Sequence, residues 1–213
     1  MMAGFAGLPE PLSKTKRGER TGMKLKKINA VLGLLSAAAL LIHIGYTIYA
    51  YLTLYYNPVL KLLTAIPQMV LICLHAVCGM AAVFLQADGT RMDLYPKQNR
   101  RTILQRMTAA LILPMLILHL NTYSLLKSTA EGGQWVWFAL LMLAQPLFYA
   151  TALIHTATSL TRSLITLGWL GSRERQKKID RVVYVLCAAI FAAAVFAVVK
   201  GELAMFLPAG GAA

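Results

Sequence analysis

The chain contains four histidines, and each falls in a different apolar stretch: His43, His75, His119 and His155. An imidazole in such a place can ligate a metal through a neutral ring nitrogen, carry a proton, or hydrogen-bond a neighbouring helix. A protonatable side chain inside a membrane helix is costly, so its presence needs a reason. A single buried histidine is explained well enough by a structural hydrogen bond. One histidine in each of four successive apolar segments, with none in a polar connection, is instead the distribution of a ligand set. The spacing repeats as well: fourteen residues separate Asn29 from His43, and fourteen separate Gln105 from His119.

The elements that must position these side chains are membrane helices. Of the 213 residues, 58% are hydrophobic and 14% charged, where soluble domains carry about 25% charged residues. The formal net charge of +13 does not imply nucleic acid, which needs a basic face on one folded surface. Here the basic residues lie in blocks separated by long apolar runs, the distribution of membrane topology. Cys73, Cys78 and Cys187 all lie in apolar segments without metal-ligand spacing and read as reduced packing residues.

The fold class expected is all-α, an integral membrane bundle of five transmembrane helices over residues 28–56, 60–86, 101–127, 135–170 and 182–199. Each meets the roughly 20 apolar residues a span requires. The first is too long for a signal-peptide core of about 7–15 residues and should stay in the protein. Residues 1–27 read as a basic cytoplasmic tail, 28–200 as the membrane domain and 201–213 as a short outer tail. Eighteen of the 21 Lys and Arg residues lie before the first segment, between Arg91 and Arg106, or between Arg162 and Arg181. Only Lys61, Lys127 and Lys200 lie on the other side. The positive-inside rule then puts the N-terminus in the cytoplasm and the C-terminus outside a cell (inner) membrane.

Depth separates the histidines into two levels. At about 1.5 Å per residue, His43 lies roughly 24 Å beyond Lys27 and His119 roughly 20 Å beyond Arg106, both in the outer half. His75 and His155, on segments running the other way, lie roughly 22 and 30 Å from their outer starts, nearer the cytoplasm. Two imidazoles at one level suit bis-histidine haem ligation, with a neutral nitrogen on each face of a planar macrocycle. Small residues flank the ligands, among them Ser36, Ala39, Gly79, Thr151 and Ala152. Zinc or di-iron chemistry fits less well, because no segment core offers a carboxylate or a second histidine at helical spacing. The repeated offset further suggests two duplicated helix pairs, which would bring the first helix beside the third and the second beside the fourth.

This layout resembles the cytochrome b membrane-anchor subunits of the succinate dehydrogenase and fumarate reductase family, in their single-chain, five-helix, di-haem form. The resemblance covers residues 25–200. Its best local match is Gln105, Arg106, Met107 and Thr108 with His119 fourteen residues after Gln105. Ala109 stands where the family usually has glycine; in the first segment Asn29 and Leu32 depart from the pattern and Gly33 keeps it. The resemblance implies two haem b groups, one on His43 and His119, the other on His75 and His155. It also implies quinone (menaquinone or ubiquinone) as the membrane substrate and partnership with an iron–sulfur subunit and a flavoprotein subunit on the cytoplasmic face. The basic blocks at 97–106 and 173–181 would serve as docking surface or as contacts to anionic lipid. Succinate or fumarate chemistry itself would lie in the partner subunits.

Some two-haem members of that family carry acids that handle protons near the outer quinone site. The connection from Tyr55 to Lys61 and the neighbours of His155 contain none, a departure that leaves a proton path of that kind without its acids. Asn57, Gln68, Asn121, Tyr123 and Gln134 are the polar candidates for a quinone headgroup. Two other readings compete: the haem b subunit of another quinone-linked oxidoreductase, and a haem-free membrane scaffold or transporter.

Overall fold

The computed structural model describes residues 12–86 and 96–207. They form five helices: α1 (Leu12–Thr53), α2 (Pro58–Gln86), α3 (Pro96–Glu131), α4 (Trp135–Thr166) and α5 (Arg173–Phe206). No strand occurs among the described residues. Each helix contains a stretch long and apolar enough to cross a membrane, and the protein is an all-α, multi-pass membrane bundle. Residues 87–95, part of the expected basic connection, lie outside the described residues, as do 1–11 and 208–213 of the expected tails.

Helix ends follow local chemistry. Asn57 caps α2: its Oδ1 accepts from the backbone N–H of Val59 at 3.0 Å and of Leu60 at 3.1 Å. Pro58 takes the first helical position, where its missing N–H costs nothing. The Tyr46 hydroxyl donates to the Asn57 carbonyl at 2.8 Å and accepts from its N–H at 3.1 Å, tying this turn back to α1. α3 and α4 both close with a left-handed glycine, Gly133 (φ 65°) and Gly168 (φ 80°). In each case the next residue's N–H bonds five residues back, Gln134 to Thr129 and Trp169 to Leu164, satisfying carbonyls the helix leaves open. Gly168 is why α4 stops at Thr166 instead of reaching 170.

Several expected boundaries move, α3 among them, which spans Pro96–Glu131 where 101–127 was expected. α5 begins at Arg173, so the basic stretch 173–181 is helix and not loop. α5 also runs past Lys200 to Phe206, which places 201–206 in the helix and not in an outer tail. Likewise residues 12–27 belong to α1.

The interior inverts that of a soluble protein. Among the described residues, half of the ten buried apolar ones are alanine (Ala30, Ala82, Ala157, Ala194 and Ala197) and nine buried ones are polar, while most large aliphatic side chains face outward. Lipid solvates those side chains as well as protein does, so small residues and polar groups make the helix contacts. α2 packs on α1 and α3 on α4; α1 also meets α4, and α5 fills the angle between α1 and α4. The expected adjacency of the first helix with the third, and of the second with the fourth, is not a backbone contact. No comparable interface joins α1 to α3 or α2 to α4, and those pairs face each other diagonally.

At the basic end a polar clamp joins three helices. Arg101 of α3 donates from two guanidinium nitrogens to Asp180 of α5, at 2.9 and 2.8 Å. It also bonds the Thr158 carbonyl at 2.9 Å and the Thr161 hydroxyl at 2.6 Å on α4. Thr161, fully buried, donates in turn to Asp180 at 2.8 Å. The ion-pair side chains are 23% and 17% exposed, so the pair is partly desolvated and geometrically tight. Asp180→Ala should therefore destabilise the bundle by about 2–3 kcal/mol, read by reversible unfolding in detergent micelles. Asp180→Asn, which still accepts from Arg101 and Thr161, should recover part of that loss.

Candidate functional site

The fourteen-residue spacing acquires a structural meaning. His75 on α2 donates from Nδ1 to the backbone carbonyl of Asn29 on α1 at 3.2 Å. His155 on α4 does the same to the carbonyl of Gln105 on α3 at 3.0 Å. Asn29 and Gln105 are the residues that lead the two fourteen-residue intervals, so one contact occurs twice, once in each antiparallel helix pair. A carbonyl oxygen only accepts, so Nδ1 carries the proton in both rings and Nε2 keeps its lone pair. That hydrogen bond is the usual device for orienting an imidazole ligand and raising its basicity. The Thr108 hydroxyl adds a second contact to His155 Nδ1 at 3.2 Å, its own proton engaged by the carbonyls of Leu104 and Gln105.

These two histidines meet across the bundle, with ring centroids 6.2 Å apart and planes inclined at 65°. Two imidazole–metal bonds of about 2 Å laid end to end, with half a ring at each side, span about that separation. The α1 backbone passes directly behind His75. A Cβ on Gly33 would fall 3.0 Å from its Cε1 and 3.4 Å from its Nδ1. Among the described residues no group of three or more His, Cys, Asp or Glu side chains converges. Two facing imidazoles are residues of the type that could hold a haem iron.

The other two histidines occupy a second level, toward the end remote from the basic blocks. His43 contacts the Thr64 hydroxyl of α2 at 3.4 Å through Nδ1. Thr64 spends its proton on the carbonyls of Leu60 and Lys61, so it accepts from His43. His119 of α3 stacks on Phe148 of α4, with centroids 4.9 Å apart and planes at 29°. Tyr149 presents its ring edge-on at 6.1 Å, and His43 lies within electrostatic range. The Nδ1 of His119 is buried and has no hydrogen-bond partner.

Beside this level lies a network that the sequence pattern did not disclose. Glu202 of α5 is fully buried. Its Oε1 accepts from Gln145 Nε2 at 2.6 Å and from the Tyr51 hydroxyl at 3.3 Å, while Oε2 is buried without a partner. Tyr149 donates to Gln145 Oε1 at 2.9 Å, which connects the network to the ring packed against His119. The helices touch closely here: a Cβ on Gly201 would fall 2.5 Å from Tyr51 Cδ1 and 2.9 Å from its carbonyl oxygen. A buried acid does lie beside this level. The acid comes from α5, beyond Lys200, in a stretch read as tail. Continuing the helical spacing Ala194, Ala197, Val198, Gly201 past Lys200 would have pointed to it.

The polar headgroup candidates scatter. The Asn57 side chain is consumed by its cap, and Asn121 bonds the Ile117 carbonyl at 2.7 Å on an exposed face. Gln134 is exposed at the start of α4. Gln68 is buried and leaves Oε1 unpartnered. Tyr123 lines an open pocket of about 530 Å³ together with Lys127, Trp135 and Phe206. Compared with known proteins, the chain matches no protein family, no characterised protein and no solved structure.

Removing the buried acid tests the network. Glu202→Ala leaves the Gln145 amide and the Tyr51 hydroxyl without their acceptor, and should cost about 2–3 kcal/mol of bundle stability. Glu202→Gln keeps an acceptor oxygen in the same place and should unfold within about 1 kcal/mol of the parent protein in the same detergent assay.

Proposed function

We propose that this chain is a di-haem cytochrome b of the membrane-anchor type found in succinate dehydrogenases and fumarate reductases. In that role it carries electrons between a quinone in the membrane and an iron–sulfur and flavoprotein partner at its basic end. The observation that carries the proposal is the His75–His155 pair. Two imidazoles from facing helices lie at a ligand-to-ligand separation, each with Nδ1 held by a backbone carbonyl and Nε2 free.

The chain's own residues supply position and insulation. His75 and His155 would hold one haem b; His43 and His119 would hold the other. Haem iron bound there supplies reversible one-electron chemistry. The surrounding helices exclude water, Gly33 gives the α1 backbone close approach, and Thr64 and Thr108 fix ring nitrogens. The quinone, menaquinone or ubiquinone, would exchange electrons from the bilayer, and at Tyr123 a polar headgroup candidate lines an open pocket of about 530 Å³. With the basic blocks in the cytoplasm of a cell membrane, the docking face for the soluble partners is the end that carries the Arg101–Asp180 clamp.

The purified chain should show a low-spin b-type spectrum with about two haems per chain by pyridine haemochrome assay. A colourless but correctly inserted protein would sink the proposal. His75→Ala and His155→Ala should deplete the same centre and spare the other, while His43→Ala and His119→Ala deplete the second. Loss of one common centre in His43→Ala and His75→Ala, spared in His119→Ala, would refute the pairing.

Orientation has its own test, because eighteen of 21 basic residues lie toward one end. A reporter fused after Gly210 should read as outside and one inserted at Gln98 as cytoplasmic. The opposite pair of readings would move the docking face to the other side of the membrane.

A further inference from the structure

The end of the bundle remote from the basic blocks carries a pocket with a charged rim and an apolar wall. α3, α4 and α5 meet there around an opening of about 530 Å³, within the roughly 300–1,000 Å³ of small-molecule sites. Tyr123, Trp135, Met205 and Phe206 form the wall, and Lys127 and Glu131 of α3 stand on the rim. Ring contacts fix the wall. Tyr123 packs on Phe206 at 5.4 Å between centroids, Phe206 on Phe138 at 6.1 Å, and Phe138 on Trp135 at 5.8 Å. These rings come from all three helices, so the packing of the bundle end sets the shape of the wall.

The rim is looser. Lys127 Nζ lies 3.8 Å from Glu131 Oε1, and the two side chains are 59% and 69% exposed. An exposed pair at that distance contributes little to stability, so a ligand can part it at small cost. The surroundings are those of a membrane surface. Tyr123, Trp135 and Trp137 are exposed here, and tyrosine and tryptophan settle at headgroup level.

We propose that this pocket binds a phospholipid with a phosphoethanolamine headgroup, its phosphate on Lys127 and its ammonium on Glu131. The glycerol and acyl chains lie on the apolar wall. Side chains four apart on a helix have Cβ atoms about 5–6 Å from each other, and in this headgroup a two-carbon bridge separates the two charges. Other ligands leave Glu131 unanswered. Phosphatidylglycerol brings an anion and no cation, and a choline headgroup brings a cation without an N–H to donate. A quinone, for which Tyr123 is a candidate contact, brings no cation either. Lipid and quinone are thus alternatives for one pocket. The inference needs none of the four histidines and does not rest on the haem reading.

The experiment is native mass spectrometry of the full-length chain, released from detergent micelles that hold equal amounts of three lipids. These are phosphatidylethanolamine, phosphatidylglycerol and phosphatidylcholine with the same acyl chains. The ethanolamine lipid should be retained about two- to fivefold over each of the others, the worth of one exposed ion contact. Glu131→Gln should bring it level with phosphatidylglycerol. Lys127→Gln should weaken all three, which share the phosphate. Both side chains are exposed, so neither change should alter unfolding of the bundle in detergent. Soluble phosphoethanolamine at the same concentration should leave the lipid in place, because it has nothing to lay on the wall.

Equal retention of the three lipids would overturn the inference, as would a preference that survives Glu131→Gln. Release of the lipid by soluble phosphoethanolamine would assign the pocket to the free headgroup instead. Displacement by a short-chain quinone of lipids retained without headgroup preference would assign it to the quinone. Each of these results leaves the haem proposal to its own spectroscopic test.

Discussion

Two hydrogen bonds, from His75 to the Asn29 carbonyl and from His155 to the Gln105 carbonyl, organise the bundle at its basic end. In a bilayer no water is at hand to satisfy a buried imidazole, so each ring must find its partner in protein. A helix carbonyl can serve because its second lone pair remains free after the helical bond is made. The consequence is directional. With Nδ1 committed to a fixed acceptor, the ring's rotation is restricted and Nε2 keeps its lone pair. The haem proposal depends on that second nitrogen.

Around the histidines, the bundle is held by polar contacts and small residues instead of a large apolar core. The Arg101–Asp180–Thr161 clamp ties α3, α4 and α5 at one end, and the Tyr51–Glu202–Gln145–Tyr149 network ties α1, α4 and α5 toward the other. α5 carries no histidine, yet it takes part in both. Its buried face is Ala194, Ala197, Val198 and Gly201, which lets the α1 and α5 backbones close to the point where Gly201 meets Tyr51. The helix without a histidine thus braces the pairs that carry them.

The levels differ because their environments do. Near the basic end both histidines bond helix backbone carbonyls, which are rigid acceptors, and His155 also meets the Thr108 hydroxyl. Near the other end the histidines face side chains: a threonine hydroxyl, a phenylalanine face and a tyrosine edge. Side chains can move and backbone in the middle of a helix cannot, so one level is set by the fold and the other keeps a conformational choice.

Much of this was legible in the sequence, and the reasons are physical. Apolar runs of membrane-spanning length, interrupted by basic blocks, determine an all-α five-helix bundle. The reason is that only helices satisfy their own backbone in lipid without closing a barrel. Position along each run was enough to sort the histidines into two levels, since rise per residue is nearly constant. The repeat of Asn29 to His43 in Gln105 to His119 was visible as spacing, but its purpose was not. What Asn29 and Gln105 contribute is a main-chain oxygen, which leaves no residue-type signature, and the partner lies 46 or 50 residues away. The diagonal facing of α1 with α3 and α2 with α4, the stack of His119 on Phe148, and the burial of Glu202 were all decided by tertiary structure. Each depends on how helices rotate about their own axes when they pack, and along a span apolar on every side the sequence alone carries little information about that rotation.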